Sequence, residues 1–276
     1  MACRSLHARP GKGALSMYRV SAMAVLAVAG LILPASAGSA GTGSHVTWCR
    51  QYGAVREGRY EVRDDFWGGG HVCVTAEVAR PGFTVTRTRF PANRNPVYAF
   101  PNILDGCEWG VCSRRSGLPA RVSSLRGPEV TDRTAGYPHT SGCKSPATWR
   151  CGYNAAIETW FSKTPMRSGQ PDEAELMIWL RAPGWRDSSQ VVDIGGVAYY
   201  LAVWRDERAI GDWDYIQFNR VHPVSGVTGL RMAPFIRYAV RHGWISRRSW
   251  LDSIEAGFEI RAGGEGLAVT RFAARI

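Results

Sequence analysis

Apolar residues recur at every second position through much of this chain, in short runs broken by Gly and Pro, and that period belongs to strands. Tyr60-Glu61-Val62-Arg63 alternates, as do Val72-Cys73-Val74-Thr75 and Gly82-Phe83-Thr84-Val85-Thr86-Arg87. Further strands are predicted near 153–161, 174–181, 190–194, 198–204, 213–219, 253–260 and 266–273, while the Arg, Ser, Gly and Pro of 114–146 predict long loops with one strand at most. Only 229–243 has helical spacing: Met232, Phe235, Ile236, Ala239 and Val240 fall on one stripe and Gly243 supplies a stop. Many short strands, one helix and no internal repeat predict an all-β jelly-roll sandwich with the helix packed outside a sheet.

The N-terminus has a different character. Arg19, an apolar run from Ser21 to Leu33, then Pro34 and Ala35-Ser36-Ala37 have the layout of a secretory signal peptide. The run is short for a membrane span of about 20 residues, so a retained anchor is the lesser alternative. Residues 1–37 are therefore read as a signal peptide, with Met17 as an alternative start. Residues 38–45 are read as a flexible mature N-terminus and 46–276 as a single β-sandwich domain. Export predicts an extracellular protein, a monomer with no stable membrane insertion after cleavage.

Export also gives the cysteines a meaning. Cys3 leaves with the signal, and six remain: Cys49, Cys73, Cys107, Cys112, Cys143 and Cys151. An even number suggests disulfides. Local pairing of Cys107 with Cys112 and of Cys143 with Cys151 would leave Cys49 with Cys73, although all connectivities stay open. A zinc site is the rival, without CxxC pairs or Cys/His clusters to support it.

The net charge of +11 comes from 34 basic and 23 acidic residues, and four of the basic ones precede residue 37. Only Lys12, Lys144 and Lys163 are lysines. The arginines are dispersed, with no basic run or helix, which argues against a nucleic-acid partner.

Carboxylates on strand faces carry the chemistry. In Glu175-Leu176-Met177-Ile178-Trp179-Leu180, alternation puts Leu176, Ile178 and Leu180 on one face and Glu175, Met177 and Trp179 on the other. Near the C-terminus, Ile254, Ala256, Phe258 and Ile260 oppose Glu255, Gly257 and Glu259, and Gly257 reads as space for a ligand above the sheet. A third strand sets Ala156, Glu158 and Trp160 against Ile157, Thr159 and Phe161. Each strand alone could be half-exposed, with an acid facing solvent. Three of them, with Met and Trp on the same faces, suit glycoside hydrolysis, in which one acid attacks or stabilises the anomeric carbon and another protonates the leaving oxygen.

The stretches "ELMIWL", "AGFE…GLAV", "GRYEVRDDFWG" and "GCEWGVCS" occur in that order. Together they resemble the family 12 glycoside hydrolases, secreted endo-β-1,4-glucanases, from about Cys49 to Phe272. The resemblance implies a jelly roll whose concave sheet cradles a β-glucan polysaccharide or oligosaccharide, and a retaining mechanism with no metal or cofactor. It implies Glu175 as nucleophile, Glu259 as general acid/base, and Glu158 in place of an Asp that hydrogen-bonds the nucleophile and shares its proton. It also implies substrate contacts from Trp67, Asp65, Met177 and Trp179. The chain departs from the family pattern at Glu158, at Asp64 and Asp65 (an Asn pair), at Glu108 (His in some bacterial members) and at Ile260-Arg261 (Pro-Trp). A non-catalytic glycan-binding protein and a xylanase-like hydrolase are the alternatives.

Overall fold

The computed structural model describes residues 45–77, 80–91, 97–137, 152–183, 186–205 and 213–276. The predicted signal peptide, nearly all of the predicted N-terminal tail, and Cys143 and Cys151 lie outside the described residues. The described residues form one compact unit.

Two sheets make the sandwich. The smaller runs β1 (His45–Trp48), β4 (His71–Glu77), β5 (Phe83–Arg89), β17 (Ala268–Arg275), β9 (Glu129–Ala135) and β15 (Gly226–Arg231). The larger runs β12 (Val191–Ile194), β13 (Val197–Trp204), β14 (Asp214–Arg220), β11 (Ala174–Arg181), β10 (Ala155–Ser162), β16 (Trp250–Gly257), β6 (Asn102–Glu108), β3 (Tyr60–Arg63) and β2 (Ala54–Glu57). Two short strands add to it: β7 (Val111–Cys112) beside β6, and β8 (Ala120–Arg121) beside β16. Among the described strands, pairing is antiparallel except between β11 and β14. Val72, Val74 and Val85 of the smaller sheet meet Ile157, Leu176, Ile178 and Ile254 of the larger in one core. Each of these side chains contributes about 1.5–3 kcal/mol by leaving water. This is the jelly roll that the alternation predicts.

The predicted helix is shorter than its stripe. Residues 226–231 form β15 against β9, and α1 runs from Ala233 to Arg241. Pro234 explains the late start: a proline fits the first turn, where its missing N–H is no loss. The helix seats Phe235 edge-on against Tyr199 of β13 and Phe218 of β14.

β6, which alternation does not announce, is buried at all its positions, including Asp105 and Glu108. Arg59 pairs with Asp105 and Arg63 with Glu108, so each acid has a cation from the β3 region. Two disulfides, Cys49–Cys73 and Cys107–Cys112, agree with the expected pairings.

Gly257 has a different reason from the predicted one. A Cβ there would stand 2.2 Å from the carbonyl oxygen of Pro101 and 2.9 Å from the Cα of Asn102. The neighbouring chain takes the space that the sequence suggested for a ligand.

Candidate active site

The candidate acids share one face of the larger sheet. Register places Glu158 of β10 between Met177 of β11 and Glu255 of β16. One step along, Trp160 lies between Glu175 and Ser253, and Tyr215 of β14 flanks Glu175 on its other side. One step the other way, Ala156 lies between Trp179 and Gly257. Glu259 follows just after β16, where Ile260 bridges to Ala99 and Tyr153.

Glu175 is buried, and Trp213 Nε1 donates to its Oε2 at 3.1 Å. Burial pushes this carboxyl well above the usual carboxylate range and Glu259 adds to the rise; the Trp213 N–H pulls it down, and Glu255 again raises it. The donor predicted for Glu175 was Glu158. Among the described residues Trp213 supplies a donor to Glu175 that this prediction did not include. An indole N–H has no charge to lose, so it serves as donor at any pH.

Glu158 belongs to a second group. Its carboxylate oxygen, with those of Glu108 and Glu255, forms a set lying within 4.8 Å of one another. Burial raises the Glu158 carboxyl well above its usual range, and Glu175, Glu255, Glu259 and Asp65 raise it further. Each of these influences raises it. Glu175 has the Trp213 donor and Glu158 faces four acids, and both carboxyls stand well above their usual range.

Arg63 is the counter-ion of this group. It is 2% exposed, pairs with Glu108, and lies 3.4 Å from Asp65 and 4.0 Å from Glu255. Three positions where the chain departs from the family pattern, Asp65, Glu108 and Glu158, thus meet in one patch, where several acids share a single arginine. Asp64 points elsewhere, accepting from the Gly53 N–H at 2.8 Å.

Glu259 is held by Asn154, which donates from Nδ2 to its Oε2 and accepts from its backbone N–H at 3.3 Å. Burial raises Glu259 to about 7, with Asn154 and Arg261 pulling down and Asp187 pushing up. A carboxyl poised there is protonated in mild acid and can deliver that proton.

Met177 and Trp179 are 0% and 1% exposed, covered in a small cluster with Phe100 and Ala156 on which Trp67 and Tyr215 pack. They lie beneath Trp67 and Tyr215, which form the outer layer of this cluster. The Tyr215 hydroxyl is 3.0 Å from Met177 Sδ. Burial raises the Tyr215 phenol well above its usual range, with Glu259, Glu175 and Glu158 adding to the effect.

Sequence reasoning missed Trp213, Tyr215, Asn154 and Arg63. Asn154 was within reach, since it shares parity with Ala156, Glu158 and Trp160. Trp213 and Tyr215 depend on the parallel β11–β14 pairing, for which no local pattern exists.

A family model described as glycosyl hydrolase family 12 matches residues 145–276. A solved metagenome-derived family 12 endoglucanase is 31% identical, with a TM-score of 0.73, covering 85% of this chain and 98% of that one. An endoglucanase from Rhodothermus marinus is 32% identical, with a TM-score of 0.71, covering 83% and 97%. A family 12 xyloglucanase from Bacillus licheniformis shares the fold at 19% identity and a TM-score of 0.68, covering 83% and 99%. No curated protein matches the chain.

Proposed function

The chain belongs to glycosyl hydrolase family 12, and from that premise we propose that it cleaves internal β-1,4-glucosidic bonds of a β-glucan with retention of configuration. The observation that carries this reading is a buried Glu175 with a fixed indole donor, on the same face as a Glu259 poised near 7. Glu175, ionised, attacks the anomeric carbon. Glu259 gives its proton to the departing glycosidic oxygen, then takes one from the water that frees the sugar from Glu175. Glu158, holding its proton, keeps a second negative charge away from the nucleophile. Trp67 and Tyr215 offer the aromatic surfaces on which pyranose rings rest. The signal-like residues 17–37 support an exported protein, acting where polysaccharide is found.

Reducing-sugar release by the purified protein from carboxymethyl cellulose, mixed-linkage glucan, xyloglucan and xylan tests the reading. Release is expected from at least one β-glucan, with little from xylan. Binding without release from any substrate between pH 5 and 7 would favour a glycan-binding protein instead.

Stereochemistry is an independent check. Proton NMR of fresh product should show the β-anomer first, with the α-anomer growing only by mutarotation. The α-anomer first would mean inversion and would remove Glu175 from its role.

A further inference from the structure

Trp213 immediately precedes β14 and is buried, and its N–H reaches Glu175. A ring that carries such a bond must itself be fixed, because a buried carboxylate that loses its donor bears the full desolvation cost. Two other rings fix it. Trp160 crosses Trp213 edge to face at 5.0 Å between centroids and 78°. Trp109 crosses Trp213 at 6.1 Å and 78°, and Trp160 at 6.1 Å and 89°. Each ring therefore touches the other two.

Trp160 comes from the strand beside Glu175. Trp109 comes from a hairpin tip outside the sheet. β6 and β7 pair Cys107 with Cys112 and Glu108 with Val111, which leaves Trp109-Gly110 as a two-residue turn closed by a disulfide. Both turn residues have positive φ, 44° and 83°. Glycine accepts this freely. A tryptophan in the left-handed region costs about 1–2 kcal/mol, and this kind of turn favours Asn or Asp at that position. Trp109 is also 44% exposed, so part of a large apolar ring stays in water. A strained, half-exposed tryptophan persists where its ring has a task.

We propose that Trp213 is a positioning residue for the nucleophile and that Trp109, on its disulfide-closed hairpin, is the outer wall that keeps the Trp213 indole aimed at Glu175. The inference rests on the reading of Glu175 as nucleophile. The charged and titratable groups near Glu175 are Glu158 from β10, Glu255 from β16, Glu259 beyond β16 and Tyr215 from β14. Of the nearby cations, Arg63 faces Glu255 and Arg261 faces Glu259. Among the described residues, Trp213 is the group acting on Glu175 that favours its ionised form.

Trp213→Phe keeps an aromatic ring and removes the N–H. Without that bond the ionised carboxylate is less favoured, so the acid limb of the kcat/KM profile should move to higher pH by about one unit. Trp109→Asn separates position from stability: Asn suits the turn, so the variant should melt no lower than wild type. It should nevertheless move the acid limb upward by about half a unit, and Trp109→Tyr should restore most of that shift. A second readout needs no turnover. In protein labelled with 15N-tryptophan, the indole signal lost in Trp213→Phe should follow a carboxyl titration, and should cease to do so in Glu175→Gln. An unmoved acid limb in Trp213→Phe, or an indole signal that ignores pH, would overturn the proposal. Wild-type turnover in Glu175→Gln would instead overturn the nucleophile reading, and the indole titration would still decide whether Trp213 bonds that carboxylate.

Discussion

Glu175→Gln should lower turnover by at least about 10³-fold while leaving oligosaccharide binding nearly intact, a loss of about 4 kcal/mol of transition-state stabilisation. The amide keeps the shape and can still meet the Trp213 N–H with its oxygen, so the floor of the site should hold. What disappears is the nucleophile, because an amide cannot form the glycosyl intermediate. Glu259→Ala should behave differently. Its loss should be large on a polysaccharide, whose leaving oxygen needs a proton, and much smaller on an aryl glycoside with a good leaving group. For wild type, kcat/KM should fall as the pH rises through about 7, because the Glu259 carboxyl then loses the proton it must donate. Turnover measurements of the two variants on both substrates decide the assignment. More than a few per cent of wild-type turnover in Glu175→Gln, free of contaminating enzyme, would remove the nucleophile from this strand.

The core was legible in the sequence wherever a strand has one apolar face. Leu176, Ile178 and Leu180, and Ile254, Ala256, Phe258 and Ile260, all lie in the core cluster that alternation assigns them to. The same parity put Glu158, Glu175 and Glu255 on the opposite face, because a period of two leaves no other choice. β6 was illegible for the converse reason. Asp105 and Glu108 break its alternation, and each is paired with an arginine, Arg59 or Arg63, more than forty residues away in the chain. Gly257 was misread because a glycine in a strand signals close approach without saying of what. Met177 and Trp179 share the face of Glu175, as alternation along β11 requires. Parity could not show that Trp67 and Tyr215, which arrive from other parts of the chain, would cover them.

The Arg63 patch yields the largest expected effect on stability. Arg63→Met removes the cation and leaves Glu108, Glu255 and Asp65 buried or half-buried around an apolar side chain. Breaking a buried ion pair from one side costs about 3–5 kcal/mol, since the remaining charge is uncompensated. The deficit should depend on pH, and the sign follows from Glu255. Burial raises its carboxyl from the usual 4.5 to about 7, against the pull of Arg63 and Ser253. The folded state therefore holds more protons than the unfolded one between those values, and the contribution of Glu255 to stability falls as the pH rises through that window. Without Arg63 the folded value climbs further and the window extends upward. The variant should thus be most deficient at pH 8 and should recover toward wild type near pH 5, where the acids take up protons in place of the lost cation. Adding Glu108→Gln removes one of the stranded charges, so Arg63→Met/Glu108→Gln should be more stable than Arg63→Met alone at pH 8. Urea unfolding of the three proteins at both pH values measures this. A deficit of equal size at pH 5 and pH 8, or a double variant no better than the single one, would show that Arg63 stabilises the sheet by packing its side chain rather than by balancing the acids beside the nucleophile.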